Sequence, residues 1–409
     1  MVRRKALLNE EARENVRHRR RPDLPAVDLK QNREELREYF ARRRSRLDIV
    51  KTTRTPSGQV LDWIPIESQL RRGQKLARPP AESVPLQLGR GRTRRRPVTF
   101  ELEDPKISRG PEGTVPVVRR NLAALRPVRS LRDHLSKHGH RTYEMFIDER
   151  DSVEVPGDGT AHEYGYSSQW VTAYGAEGNL AAFDPYTYRS DEFSLLQVAL
   201  ARGSGSGKQT IEAGWQEFRD LYGDWVPHLF VFYTTNGYTA SGDNKGGYNR
   251  DVDGWVQYSN VVYPEAISSP NSTRGGAQYI MQIKYQLYQG NWWFSCNGRW
   301  IGYYPASLFN GSGLRSQAEK VAFYGEIVDS GADSVSSWTD MGSGYWPANG
   351  WTWSAYMSNL RYQSGTGGSM SRYTGTTWES NPGEYGIEEH FANTGSWGSY
   401  CWVGGPGGG

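Results

Sequence analysis

From about residue 160 onward the chain alternates short runs rich in aromatic and β-branched residues with clusters of Gly, Asn and Ser. Runs at 164–174, 193–200, 209–218, 228–235, 254–258, 277–288, 291–296, 321–329 and 400–403 each have strand length. Strands in that number, punctuated by turn residues, predict an antiparallel sandwich or barrel. One short helix is expected near 307–319. No fixed-period repeat is visible, which argues against a propeller or solenoid.

The 409-residue chain changes character near residue 150. Residues 1–150 hold 36 Lys and Arg against 20 Asp and Glu, a net +16, whereas residues 151–409 hold 13 against 25, a net −12. Only Trp63 of the 15 tryptophans lies in the first part, and 40 of the 47 glycines lie in the second. The expected organisation is a basic disordered leader over 1–27, a small basic α+β unit over 28–126, a linker over 127–159 and a mainly β domain over 160–409. Within the first part, apolar spacing predicts a helix from Asp28 to about Leu47 with Leu29, Leu36, Tyr39, Phe40 and Leu47 on one side. Strand-like alternation surrounds the turn Pro56-Ser57-Gly58, and 115–118 and 143–147 are further short strand candidates. The Arg- and Pro-rich stretch 71–98 reads as a linker or surface loop.

Several function classes find no support. No run reaches the 18 apolar residues of a membrane span, so no membrane partner is expected. The N-terminus has the basic start of a signal peptide without its apolar core. The seven histidines show no metal spacing, and there is no Gly-x-Ser-x-Gly elbow or phosphate loop, so no metal or cofactor is expected. Arginine triplets at 19–21, 42–44 and 94–96 raise nucleic-acid binding, but solvated charge is the commoner use, and nucleic acid is not an expected partner. Cys296 and Cys401 either form a disulfide or remain buried thiols.

Two glutamates stand out against their strands. The period of two places Glu212, Gly214 and Gln216 on one face and Ile211, Ala213 and Trp215 on the other. Glu326 likewise shares a face with Tyr324 and Val328. The bland alternative is a pair of solvent-facing residues on half-exposed strands, which pattern alone favours.

Longer motifs shift that balance. The stretch 209–233, with Gln209-Thr210-Ile211-Glu212-Ala213-Gly214-Trp215-Gln216-Glu217-Phe218, is similar to the core motif of the neprosin family of glutamic peptidases. Gly290-Asn291-Trp292-Trp293-Phe294, Ile301-Gly302-Tyr303-Tyr304-Pro305, Val321-Ala322-Phe323-Tyr324-Gly325-Glu326 and the ending Gly404-Gly405-Pro406-Gly407-Gly408 resemble further family motifs. So do His162-Glu163-Tyr164 and Phe193-Ser194-Leu195-Leu196-Gln197. Upstream, Ile49-Val50-Lys51-Thr52-Thr53, Gly58-Gln59-Val60-Leu61-Asp62 and 110–117 resemble the family's activation domain. The sequence departs from plant members at Trp63 and Gly110, and near Gly247 and Val252, where they carry cysteines.

The resemblance implies an antiparallel β-sandwich catalytic domain behind an activation domain, and a catalytic dyad of Glu212 and Glu326. Gln197, Gln216 and Tyr324 are the supporting candidates. It also implies cleavage after proline, a zymogen whose own pro-domain is an intramolecular inhibitor cut away between about 125 and 159, and secretion. Two carboxylates can hydrolyse a peptide without a metal if one is ionised to activate water and the other protonated to supply the leaving nitrogen, which favours acid pH. The opposed charges of the two parts would hold them together until acid protonates the carboxylates. A carbohydrate-active or lectin-like β-sandwich is the competing function class, since fold does not fix function.

Overall fold

The structure, a computed structural model, describes residues 29–81, 94–122, 131–137, 161–330 and 337–408. The expected leader and the strand candidate at 143–147 lie outside the described residues.

The N-terminal part begins with α1 (Leu29–Ser45), whose last turn carries Arg42, Arg43 and Arg44 where cations suit the helix dipole. Leu36 and Phe40, one turn apart, bury against Leu122 and Leu131. Strands β1 (Lys51–Arg54) and β2 (Val60–Pro65) pair antiparallel around the predicted turn, and β5 (Thr114–Val118) adds to β2. Two short strands between them, β3 (Arg95–Pro97) and β4 (Thr99–Phe100), leave this unit. β3 pairs in parallel with a strand of the C-terminal domain, so part of the stretch expected to be a surface loop is built into a sheet. Composition could not show this, because the pairing partner lies some 180 residues away. A short helix, α2 (Leu131–Leu135), forms within the stretch expected to be a linker.

The C-terminal domain contributes β6 (Ala161–Ala173), β7 (Gly175–Ala181), β8 (Phe193–Arg202), β9 (Gln209–Phe218), the single-turn α3 (Arg219–Tyr222), β10 (His228–Thr234), β11 (Gly246–Tyr248), β12 (Val256–Gln257), β13 (Ser268–Ser269) and β14 (Gln278–Tyr288). There follow β15 (Asn291–Cys296), β16 (Arg299–Pro305), β17 (Ala318–Asp329), β18 (Ala355–Gln363), β19 (Met370–Arg372), β20 (Thr376–Glu379), β21 (Gly386–His390) and β22 (Tyr400–Gly404). One sheet runs β11-β10-β9-β8-β17-β6-β20; the other runs β12-β16-β15-β14-β7-β18-β22-β21, with β19 on β18 and β3 on β14. β13 pairs with β4. Ile211, Ala213, Trp215, Val198 and Phe323 from the first sheet and Ile283, Tyr285, Phe294, Met357 and Leu360 from the second share one buried cluster, the core of a β-sandwich. The fold is mainly β, as the turn-punctuated runs predict.

Three local expectations are corrected. The helix near 307–319 is only a 3-10 turn over Ala306–Leu308, because Asn310-Gly311-Ser312-Gly313 are turn formers that cannot sustain it. Strands β7, β11, β13, β16 and β18 to β21 lie outside the runs expected to be strands. Cys296 and Cys401 are free, buried thiols. They sit on β15 and β22, four inter-strand steps apart in one sheet, or about 19 Å, beyond the reach of a disulfide.

The positions where related chains carry cysteines are filled by packing instead. Trp63 is fully buried, donates from Nε1 to Thr53 Oγ1 at 2.8 Å and lies directly against Gly110, where any Cβ would collide with the indole. Val252 covers Gly247 in the same manner, 2.8 Å from where a Cβ would stand. At both places a large side chain over a glycine occupies the space. Gly110→Ala should therefore destabilise the protein by about 1–3 kcal/mol through overpacking. Chemical denaturation of the two chains checks this, and an unchanged midpoint would contradict it.

Candidate active site

Strand β8 is the axis of the site. It pairs with β9 on one side and β17 on the other, setting Glu212 opposite Ala199 and Glu326 opposite Leu195. Gln197 lies between, facing Gly214 on one neighbour and Tyr324 on the other. Directly paired residues point to the same side of a sheet, so Glu212, Glu326, Gln197, Gln216 and Tyr324 all project from the face opposite the core. The alternation read from sequence is confirmed by their neighbours. Trp215 points into the core and donates to Ala181 O at 2.8 Å, while Tyr324 clusters with Tyr164, Ala199 and Ala322 on the other face.

That face is not open to solvent. β8 and β9 are buried along nearly their whole length on both faces, and Glu212 and Glu326 are each 0 % exposed. An antiparallel sheet usually wets one face; here the N-terminal part covers it. Lys137, just beyond α2, places its Nζ 2.7 Å from Glu212 Oε2 and 2.8 Å from Glu326 Oε2, with all three side chains fully enclosed. The contact with Glu212 is a hydrogen bond; that with Glu326 is an ion pair without hydrogen-bond alignment. Gln197 Oε1 is 3.4 Å from the same ammonium, and the Tyr324 ring lies 5.6 Å from it.

Each glutamate has its own setting. Glu212 accepts from Gln197 Nε2 at 3.0 Å, from Thr210 Oγ1 at 2.8 Å and from the Tyr238 hydroxyl. Glu326 Oε1 is 2.7 Å from His162 Nδ1 and 3.4 Å from the Tyr164 hydroxyl. Burial pushes the Glu326 carboxyl up, but the Lys137 charge and the His162 hydrogen bond outweigh it and leave it below its usual value. Burial works against the Lys137 charge too, and the two carboxylates more than compensate, lifting its pKa.

The other sequence candidates divide. Gln197 touches both Glu212 and Lys137. Gln216 shares the face but is engaged elsewhere, donating to Tyr248 and accepting from Tyr222. Tyr324 contributes its ring, and its buried hydroxyl has no hydrogen-bond partner among the described residues. Lys137, His162, Thr210 and Tyr238 were not singled out from sequence. His162 stands opposite Val328, one diagonal step from Glu326, which only the register reveals. Among the described residues no cluster of His, Cys, Asp or Glu could hold a metal ion, and no helix is long and apolar enough to cross a membrane.

The rest of the cover is fixed by ion pairs of the sign that the charge asymmetry predicts. Arg43 meets Asp243 at 2.5 Å and Asp253 at 3.0 Å; Arg120 meets Asp251 and Glu265, each at 2.7 Å. His134 of α2 lies 3.1 Å from Asp251. Burial raises Asp251, yet the Arg120 charge and the His134 hydrogen bond hold it below the usual range. Burial lifts Glu265 above that range despite the Arg120 charge.

Two enclosed carboxylates thus stand on one sheet face with amide and hydroxyl donors around them and an ammonium between them. A family model described as Neprosin matches residues 190–406, just over half of the 409 residues. The chain belongs to the Neprosin family, and its activity class is that of a glutamic peptidase. Among solved structures, one similar to this chain is scytalido-glutamic peptidase with a transition state analog inhibitor. It is 9 % identical with a TM-score of 0.32, and the match covers 60 % of this chain and 98 % of that one. SCP-B, an Eqolisin family peptidase in complex with the tripeptide Ala-Ile-His, is 10 % identical at a TM-score of 0.29, covering 60 % and 98 %. A homodimeric agglutinin from chicken liver is 8 % identical at 0.22, covering 41 % and 94 %. None of these distant likenesses bears on the assignment.

The sign of the pH response follows from the depressed carboxyl of Glu326. Its contribution to holding the cover is complete above the free value of 4.5 and is lost as pH falls through the lower folded value. Lys137→Met should move protonation of the enclosed Glu326 carboxyl to higher pH, read as the carboxylic acid band in infrared difference spectra. An unshifted band would contradict the charge coupling.

Proposed function

We propose that this protein is the latent form of an acid-active endopeptidase that cleaves after proline with Glu212 and Glu326 as its catalytic dyad. The observation that carries the reading is the Lys137 ammonium set between the two carboxylates. Two buried carboxylates beside each other cannot both stay charged at little cost. The lysine offsets one of the two negative charges and occupies the space a reacting peptide and water need. Latency is thus a property of the same ion triad that reports the dyad.

Once Lys137 leaves, the pair shares one proton and titrates as a unit. The carboxylate without a proton draws one from a water molecule as its oxygen attacks the peptide carbonyl carbon. The carboxyl that holds the proton delivers it to the leaving nitrogen as the C–N bond breaks. Gln197, whose Nε2 holds Glu212, has a second amide hydrogen to donate to the carbonyl oxygen. Thr210 and Tyr238 fix Glu212, and His162 fixes Glu326. Beside Glu326, Tyr164, Tyr166, Tyr324 and Trp378 form an aromatic wall with ring centroids 4.8–6.3 Å apart. A flat pyrrolidine ring suits such a wall, which supports the prolyl preference.

Acid is the natural release signal. Asp251 and Glu326 are both held below their free values of 3.8 and 4.5, so their share of the attachment starts to fail below those values. Breaking one partner of a buried ion cluster costs about 3–5 kcal/mol, which weakens the attachment of the cover.

Two outcomes test the proposal. In the acid-treated protein, Glu212→Gln and Glu326→Gln should each lower kcat on a proline-containing peptide by about 10²–10⁴-fold; cleavage surviving both substitutions would remove the dyad, and glycan turnover without peptide cleavage would replace the peptidase reading. In the intact chain, Lys137→Met should bring the onset of self-processing to higher pH, followed by gel electrophoresis. An onset unchanged from the parent chain would show that Lys137 does not hold the latent state.

A further inference from the structure

Arg95 is 0 % exposed, although it lies in the basic N-terminal part. Its Nη1 donates to Ser358 Oγ at 2.6 Å, while Nε and Nη2 have no hydrogen-bond partner among the described residues. The guanidinium carbon stands 4.7 Å over the Trp397 ring. Trp397 packs in turn on Tyr356 at 4.8 Å, Trp351 at 5.1 Å and Trp402 at 5.3 Å. The Tyr356 hydroxyl is buried nearby with no hydrogen-bond partner among the described residues. An arginine enclosed without a carboxylate is costly unless the rings supply the compensation.

The backbone around Arg95 is bound as an added strand. β3 pairs in parallel with Gln278–Ile280, a stretch of β14 that its neighbour β15 does not reach, since β15 pairs from Ile283 onward. Val98 N donates to Ile280 O at 2.9 Å, and Asn297 Nδ2 donates to Val98 O at 2.9 Å. Backbone pairing for affinity and one deep side-chain pocket for selectivity is a known way of reading an extended peptide. This site belongs to the sheet opposite the one that carries the glutamates, so covering the dyad does not explain it.

We propose that this box is a peptide-binding exosite: an extended segment pairs with Gln278–Ile280 of β14 and inserts an arginine between Trp397, Tyr356 and Ser358. Arg95 fills it in the intact chain. After the N-terminal part leaves, which rests on the latent-form reading above, an arginine of a protein substrate outside the cleaved stretch takes its place. A guanidinium suits the box better than an ammonium because its plane stacks on an indole and it is more weakly hydrated. The enzyme would then favour proline-containing proteins that also carry an extended arginine-bearing segment.

The test needs no catalysis. The intact Arg95→Ala chain is titrated calorimetrically with N-acetyl-arginine amide and N-acetyl-lysine amide. The expected result is saturable one-to-one binding of the arginine probe, about tenfold weaker binding of the lysine probe, and no binding to the parent chain. No saturable binding of the arginine probe, equal binding of both probes, or the same binding to the parent chain overturns the proposal. Arg95→Gln takes the same titration if circular dichroism shows that the alanine variant does not fold. In the processed enzyme, Trp397→Leu should raise KM severalfold for an arginine-bearing protein substrate and leave kcat on a short proline peptide unchanged; an equal effect on both substrates overturns the substrate role. A failed titration leaves the dyad reading intact, and an inactive dyad leaves the titration interpretable.

Discussion

One ammonium group between two carboxylates sets the terms for the rest of the molecule. Glu212 and Glu326 project from neighbouring positions of a sheet face that is fully enclosed, and an enclosed pair of like charges is expensive. Lys137 supplies the counter-charge that makes the enclosure tolerable. The same contact explains why β8 and β9 are buried on both sides in an antiparallel sheet. One side packs into the sandwich core and the other beneath a separate basic unit.

The cover is held by ion pairs and by apolar packing together, since Trp63, Val98, Phe100, Leu102 and Leu135 belong to the same buried cluster as the sandwich core. α1 reaches the C-terminal domain through Arg43, and the chain after β5 reaches it through Arg120, both onto Asp243, Asp251, Asp253 and Glu265. The +16 and −12 halves meet through named pairs, and the Arg120 charge holds Asp251 below the usual carboxylate range despite its burial. Where related chains use cysteines, this one sets Trp63 over Gly110 and Val252 over Gly247, so its stability does not hang on redox state at those positions. Its two actual thiols are buried, and burial raises them well beyond the range in which they would react.

Much of this was legible in the residues. Period-two alternation in 209–218 and 321–329 gave the correct faces for Glu212, Gln216, Tyr324 and Glu326, because strand geometry is local. The strands themselves were recognisable where β-branched and aromatic residues run together, and missed in Gly175–Ala181 and Ala355–Gln363, where Gly, Ser and Asn dilute the pattern. Contacts set by register or by chain return were not legible. His162 meets Glu326 from 164 residues away, Lys137 meets Glu212 from 75, and Arg95 meets Ser358 from 263. Nothing in the spacing of a basic tract distinguishes the one lysine or arginine that enters a pocket from its solvated neighbours. Gln216 shows the converse, since it sits on the right face yet is held by Tyr222 and Tyr248 instead of the dyad.

Carboxyl footprinting tests the central claim most directly. The intact chain would be labelled with a water-soluble carbodiimide and an amine at neutral pH and again near pH 4, and the modified residues mapped by mass spectrometry. The account predicts that Glu212 and Glu326 stay unmodified at neutral pH while the exposed Glu388 reacts, and that both become reactive on acidification as Lys137 withdraws. Modification of Glu212 and Glu326 at neutral pH to the extent of Glu388, or continued protection in acid in a chain that is already cleaving peptide, would contradict it.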